Sequence, residues 1–218
     1  DDSFNPKLRE ALQALFPEIP RFEAESLESE EPLPEGEFCP DLGLSDDRIV
    51  IFTSGTTGNP KGVRLSYANY ENNASALGGQ LLGLKPGSPA MVLVVNPLHH
   101  TNSSAVTDCF FRHAAGHVTM LSRYGTAYWQ ILAGAAESGP ADGPRFAFAV
   151  ARHFDFLEQL AASGDLPVSE DRLKRAMGRF EFVIGSAPVG PMTVQRLLKW
   201  SGRVPMVRFG STESTFQV

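Results

Sequence analysis

The residues best suited to chemistry lie in the segment TSGTTGNPKG, Thr53 to Gly62, directly after the β-branched run IVIF. Gly55, Gly58 and Gly62 permit backbone conformations in which several N–H groups point at one anion with no Cβ in the way. Thr53, Ser54, Thr56 and Thr57 add hydroxyl donors, and Lys61 adds a compact positive charge on a flexible stem. A phosphate is the natural guest. Without a ligand the segment is hard to explain, because each glycine costs roughly 0.5 to 1 kcal/mol of chain entropy. The spacing departs from GxxxxGK[ST], since Pro60 precedes and Gly62 follows Lys61, which disfavours a P-loop ATPase.

Three further segments carry chemistry. NPLHHTN, Asn96 to Asn102, follows the apolar run AMVLVV. An imidazole at His100 could orient a carboxylate and offset charge as it approaches a phosphate, whereas adjacent histidines leaving a strand do not aim at one metal. VIGSAPVGP, Val183 to Pro191, has small residues at Gly185, Ser186 and Ala187 that let a flat ring approach the backbone, and Pro188 stiffens the turn. RFGSTES, Arg208 to Ser214, offers the carboxylate of Glu213. Beside a triphosphate such a group makes sense only with a cation between them.

TSGTTGNPKG resembles, over its whole length, the phosphate-binding signature of the adenylate-forming superfamily. That superfamily comprises acyl-CoA synthetases, firefly-type luciferases and the adenylation domains of nonribosomal peptide synthetases. NPLHH is similar to the family segment PLFH, with His99 in the aromatic position, where it would line the acyl pocket, and His100 in the histidine position beside the substrate carboxylate. Peptide-synthetase domains place an aspartate at that point to hold an α-ammonium group. His100 cannot do so, which leaves a fatty, aryl or other simple carboxylic acid. GSAPV is similar to the family's GGAPL turn near adenine and the acyl group. GSTE resembles the end of YGxTE, with Phe209 in place of tyrosine at a cost of about 0.5 to 1.5 kcal/mol for one hydrogen bond.

What the resemblance implies is ATP-dependent carboxylate activation. A carboxylate attacks the α-phosphorus of ATP, pyrophosphate leaves, and the acyl-adenylate passes to a thiol such as coenzyme A. Thr53, Ser54, Gly55, Thr56, Thr57, Gly58 and Lys61 would hold the β- and γ-phosphates; Gly185, Ser186, Ala187, Phe209 and Gly210 would surround the adenine. Thr212 and His100 would meet the reacting centre, while Glu213 and Thr56 hold Mg²⁺. Such a displacement needs alignment and charge neutralisation more than covalent help.

Elements must hold these segments in place. From residue 49 the runs RIVIFTS, AMVLVVN, HVTML, RFAFAV, FEFVIG and VPMVRFG alternate with helix-like stretches such as SYANYENNASALGGQLL. Alternation of this kind predicts an α/β fold, a mostly parallel sheet with helices on both faces, here part of the large lobe of an adenylate-forming enzyme. Ligands collect at the carboxyl ends of such strands, and each segment above is expected at one. Ser66 and Ser169 are expected to begin helices. Residues 1–48 form a lead-in, with helical spacing in PKLREALQALF and an acidic connector in EAESLESEEPLPEGEF; residues 49–218 form a partial AMP-binding subdomain.

Against the resemblance, the downstream TGD motif, the hinge and the small C-terminal domain with its catalytic lysine have no counterpart before Val218, and an upstream subdomain is missing. The expectation is a fragment of an acid-thiol ligase. A different class of reading is a non-catalytic nucleotide-binding or scaffold subunit within a complex. A serine hydrolase is disfavoured for want of a G-x-S-x-G elbow.

Composition narrows the partners. The 218 residues carry a net charge of -6, with 42% hydrophobic and 20% charged residues; this is ordinary globular chemistry with no basic face for nucleic acid. No apolar run nears the ~18 residues a bilayer span needs, and DDSFNPKLRE has no signal-peptide pattern. A cytoplasmic location is expected, with an organelle as the alternative. Cys39 and Cys109 stand far apart, as buried thiols in a reducing compartment do.

Overall fold

A computed structural model describes residues 6–15, 17–18, 41–53, 59–113, 117–138 and 143–215. The chain forms two compact units, Asp1–Leu42 and Gly43–Val218. In the first, α1 (Pro6–Leu15) follows the helical spacing of PKLREALQAL, with proline at the opening position where its missing N–H has no helical partner to lose. The acidic connector and Cys39 lie outside the described residues.

The second unit is built on five parallel strands in the order β4-β3-β5-β6-β7: β3 (Met91–Val94), β4 (His117–Met120), β5 (Arg145–Ala149), β6 (Glu181–Ile184) and β7 (Met206–Val207). Register places Met91 beside His117 on one side and Arg145 on the other, then Phe146 beside Glu181 and Val183 beside Met206. Side chains alternate between two cores. Met91, Leu93, Val95, Ala147, Ala149, Phe182 and Ile184 pack under α4 (Ala127–Ser138), α5 (Ala151–Ser163), α6 (Glu170–Met177) and α7 (Pro191–Ser201). Val92, Val94, Phe146, Phe148 and Val183 face the opposite core, with Val106 and Phe110 of α3 (Thr101–His113), Tyr70 of α2 (Tyr67–Ala74) and Leu77 just beyond it. A strand buried on both faces has no polar side to show, which is why these runs read as unbroken apolar sequence.

Helix ends follow local chemistry. Ser66 caps α2 (Tyr67–Ala74): its Oγ accepts from Asn69 N at 3.3 Å and its own N–H donates to Asn69 Oδ1 at 2.9 Å. This helix continues as a π-helical turn, Ser75–Leu81. Ser169 stands at the cap position of α6 without a side-chain bond, and Glu170 and Asp171 in the first turn complement the helix dipole instead. Gly164 (φ 79°) and Gly202 (φ 71°) close α5 and α7 in the left-handed conformation.

One expectation fails. KGVRLS is a strand, β2 (Lys61–Ser66), which pairs antiparallel with β1 (Asp47–Thr53) in a separate two-stranded sheet. The phosphate-loop sequence therefore starts from the end of an antiparallel strand, at Thr53, and not from the carboxyl end of a parallel one. The missed signal is a short alternation: Leu65 is 2% exposed and Val63 half-buried, while Lys61, Gly62 and Arg64 face water. The hairpin is tied to the main body by Arg48. Its Nη2 lies 2.6 Å from Asp108 Oδ1 on α3 and its guanidinium 4.3 Å above the Tyr70 ring.

Candidate functional site

A cleft of about 520 Å³ opens along the carboxyl edge of the parallel sheet, within the size range of small-ligand sites. Its walls come from the ends of four strands. Asn96, Pro97, His100, Thr101 and Asn102 follow β3; Val150 follows β5; Ser186 follows β6; Arg208, Gly210, Ser211, Thr212 and Thr215 follow β7.

The segment after β3 turns at once into α3. His100 N–H donates to Pro97 O at 3.0 Å, and the His100 carbonyl accepts from Ser103 N and Ser104 N at 3.1 Å each. Ser103 Oγ donates to Asn96 O at 2.7 Å, locking the turn from beneath. His100 projects outward with its ring 4.4 Å from that of His99. Partial burial, and then the neighbouring His99, lower its pKa from the ordinary histidine value, so its imidazole is neutral at pH 7 and serves as a hydrogen-bonding group.

Asn102 joins two of the motifs: its Nδ2 donates to Ser186 Oγ at 2.9 Å. Ser186 has φ 67°, a left-handed conformation that costs a non-glycine residue roughly 1 to 3 kcal/mol and is concentrated at functional sites. Two buried polar atoms of the same wall, Asn96 Nδ2 and Asn102 Oδ1, have no hydrogen-bond partner among the described residues. Buried amides are rarely left so, and a donor and an acceptor stand ready at the cleft.

Gly185 is fixed by its neighbour. A Cβ there would lie 2.7 Å from Arg208 Cγ and 3.0 Å from Arg208 Nε. Arg208 runs through that space and is 9% exposed; burial lowers its pKa to about 10, so it stays charged at neutral pH. The loop beyond it folds on itself. Ser211 N–H donates to Ser214 Oγ at 3.2 Å, Ser214 Oγ donates to Ser211 O at 3.0 Å, and Thr215 N–H donates to Thr212 O at 3.1 Å. Thr212 is thereby held on the cleft wall, and Glu213 is left exposed beside it.

His100, Ser186, Gly210 and Thr212, expected from separate motifs, line one cleft. Gly185 lies behind it, against Arg208. His99, Ala187, Glu213 and Phe209, the last 82% exposed, stand outside its lining. Thr53 and Lys61 end β1 and begin β2; Ser54, Gly55, Thr56, Thr57 and Gly58 fall outside the described residues. Cys109 is a buried structural thiol, its pKa raised to about 12 by burial and then by Asp108.

Asn96, Asn102, Val150, Arg208 and Thr215 also line the cleft, beyond the residues that the motifs single out. The carboxyl-end rule was signal enough for Val150 and Arg208, which directly follow strands. Asn102 lay in the first turn of a helix whose start the sequence left open.

A sequence profile of the AMP-binding enzyme family matches residues 6–218. The mitochondrial medium-chain acyl-CoA ligase of Bos taurus is 43% identical over 60 residues, which cover 27% of this chain and 10% of that protein. The match thus spans about a tenth of the length of this curated relative. Among solved structures, a malonyl-CoA ligase holding methylmalonyl-CoA and AMP superposes with TM-score 0.63 at 24% identity, over 78% of this chain and 34% of that one. An o-succinylbenzoate CoA synthetase from Bacillus subtilis superposes with TM-score 0.68 at 18% identity, over 100% of this chain and 39% of its own. At those identities the likeness is one of fold.

Proposed function

This chain belongs to the AMP-binding enzyme family, and we propose that it supplies the nucleotide- and acid-binding core of a ligase that activates a carboxylic acid with ATP and passes the acyl group to coenzyme A. The observation that carries this reading is the single cleft at the sheet's carboxyl edge, where His100, Ser186, Gly210 and Thr212 meet from three distant motifs.

In this mechanism the glycine loop from Thr53 to Gly58, with Lys61, holds the β- and γ-phosphates. Thr212 donates a hydrogen bond to the α-phosphate. Phe209 packs on the adenine, with the wall of Gly185, Ser186, Ala187 and Gly210 on its other side. Neutral His100 donates to the acid's carboxylate and orients one oxygen toward the α-phosphorus, while His99 borders the acyl group. The new O–P bond forms as the bond to pyrophosphate breaks, and alignment with charge neutralisation supplies most of the acceleration. Coenzyme A then displaces AMP from the acyl carbon.

Glu213, together with Thr56, would hold Mg²⁺. One exposed carboxylate suits this ion, which binds through one or two protein carboxylates and completes its shell with phosphate oxygens and water; no cluster of three His, Cys, Asp or Glu side chains occurs among the described residues. When bound, the ion offsets the negative charge of the triphosphate. No helix among the described residues is long and apolar enough to cross a membrane.

The test is acid-dependent exchange of labelled pyrophosphate into ATP by the full-length protein, with Glu213→Ala and Lys61→Ala alongside. Exchange that needs an acid and falls in both variants is the expected result; unchanged exchange in both rejects the assignments.

A further inference from the structure

A side-chain bridge at the carboxyl edge of the sheet joins segments whose strands are not neighbours. β5 lies between β3 and β6, yet Asn102, in the first turn of the helix after β3, donates through Nδ2 to Ser186 Oγ, after β6, at 2.9 Å. Both residues line the cleft, as does Val150 at the end of β5.

Each end of the bridge is built in. Asn102 is 7% exposed, and its Oδ1 has no partner among the described residues, so the bond to Ser186 is the one its amide makes there. The turn that carries it is anchored to the body: Ser104 Oγ donates to the His100 carbonyl at 3.2 Å and lies 2.8 Å from the hydroxyl of Tyr70, itself 2% exposed on α2. At the other end Ser186 holds φ 67°, a backbone that glycine adopts at less cost. Stability alone would favour glycine at that point. A serine adds strain and gains the hydroxyl that Asn102 holds, and strain of this kind persists where the surroundings over-determine it, which is commonest at functional sites.

His100, placed above beside the carboxylate, lies two residues before Asn102, whereas Ser186 belongs to the turn placed beside the adenine. We propose that Asn102 is a positioning residue: through Ser186 it fixes the spacing between the wall that holds the acid and the wall that holds the nucleotide, so that carboxylate oxygen and α-phosphorus meet in line. Asn102 itself touches neither reacting atom. The role presupposes the carboxylate activation described above and adds to it a residue that no motif singles out. Breaking the bond leaves the contacts to each substrate in place and costs alignment, where a misplacement of about 1 Å is worth about 10²-fold in rate.

Acid-dependent pyrophosphate exchange by the full-length protein tests it in wild type, Asn102→Ala, Ser186→Gly and the double variant, using whichever of acetate, malonate, hexanoate, palmitate and benzoate the wild type takes best. In each single variant kcat is expected to fall by about 10- to 100-fold, with KM for ATP and for the acid within about threefold of wild type. The double variant should lose no more than about threefold beyond either single one, because the same bond is broken in all of them. Melting temperatures separate positioning from folding: Asn102→Ala should lower the value, while Ser186→Gly, relieved of its strain, should raise it and still lose the same activity. Full kcat in Ser186→Gly, losses that multiply in the double variant, activity that tracks melting temperature across the variants, or a rise of about tenfold in KM with kcat kept each overturns the positioning role while leaving carboxylate activation standing. A wild type that binds ATP by calorimetry but shows exchange with none of the acids removes the activation reading and this inference with it.

Discussion

The β1–β2 hairpin and the carboxyl edge of the parallel sheet both bear signature residues of the AMP-binding family, yet they are held in different ways. At the sheet edge, strands buried on both faces fix where each loop begins, and side-chain bonds such as Asn102 to Ser186 fix where it goes. The hairpin buries one face only, through Ile51 and Leu65, and leaves Val50 46% and Phe52 70% exposed on the other. It joins the body through Ile51 and Leu65, which share a core with Val92 and Val106, and through the Arg48–Asp108 pair and the stacking of Arg48 on Tyr70. The difference teaches that the sheet edge is set by strands buried on both faces, whereas the hairpin rests on one buried face and a few polar contacts.

The sharpest way to probe that contrast is to remove one charged group from each half. Glu213→Ala, beside the sheet-edge cleft, is expected to lower pyrophosphate exchange by about 10²- to 10³-fold, and Lys61→Ala, on the hairpin, by about 10- to 10²-fold. The larger loss is expected of the group proposed to hold the ion. A reversed order in steady-state exchange would show the hairpin to be the better-fixed half.

Next comes acid sensitivity. His153, at the start of α5, stacks on Tyr124 at 4.0 Å, and its Nδ1 accepts from the N–H of Val150, a cleft residue, at 3.4 Å. Burial lowers its pKa from 6.5 to about 4. The unfolded chain takes up a proton that the folded chain refuses, so this contribution is complete above pH 6.5 and is lost as pH falls toward 4. The full loss is on the order of 3 kcal/mol. Urea midpoints at several pH values should fall less steeply with acid in His153→Phe than in the wild type, and hydrogen exchange should show the sheet edge opening before the hairpin.

Gly185→Ala tests the packing of the edge directly. The new methyl would lie 2.7 Å from Arg208 Cγ, an overpacking that costs about 1 to 3 kcal/mol and pushes the guanidinium off its wall, seen as a lower melting temperature. The smallest effect is expected from Arg48→Ala. Asp108 is 9% exposed and keeps Arg112 Nε at 3.1 Å, so the loss should be about 1 to 2 kcal/mol. It should be concentrated in faster hydrogen exchange of β1 and β2, and equal protection there in both proteins would deny the hairpin its tether.

Legibility in sequence follows the same divide. β3, β5 and β6 are readable because each is an apolar stretch bounded by turn residues and buried on both faces, while β1 and β4, partly exposed, are readable from their β-branched residues. β2 is not: Val63 and Leu65 are too short an alternation to stand out after a glycine loop. Motif order brought His100, Ser186, Gly210 and Thr212 to one place in advance. Arg208 and Asn102 escaped because their importance comes from three-dimensional neighbours, a missing Cβ at position 185 and a hydroxyl 84 residues away.

Ser186 bears on durability. A glycine there would relax the left-handed backbone and raise heat resistance, but it would strip Asn102 of its hydroxyl partner. Anyone breeding a tougher variant of this protein would meet, at that one position, a choice between lasting longer and working well.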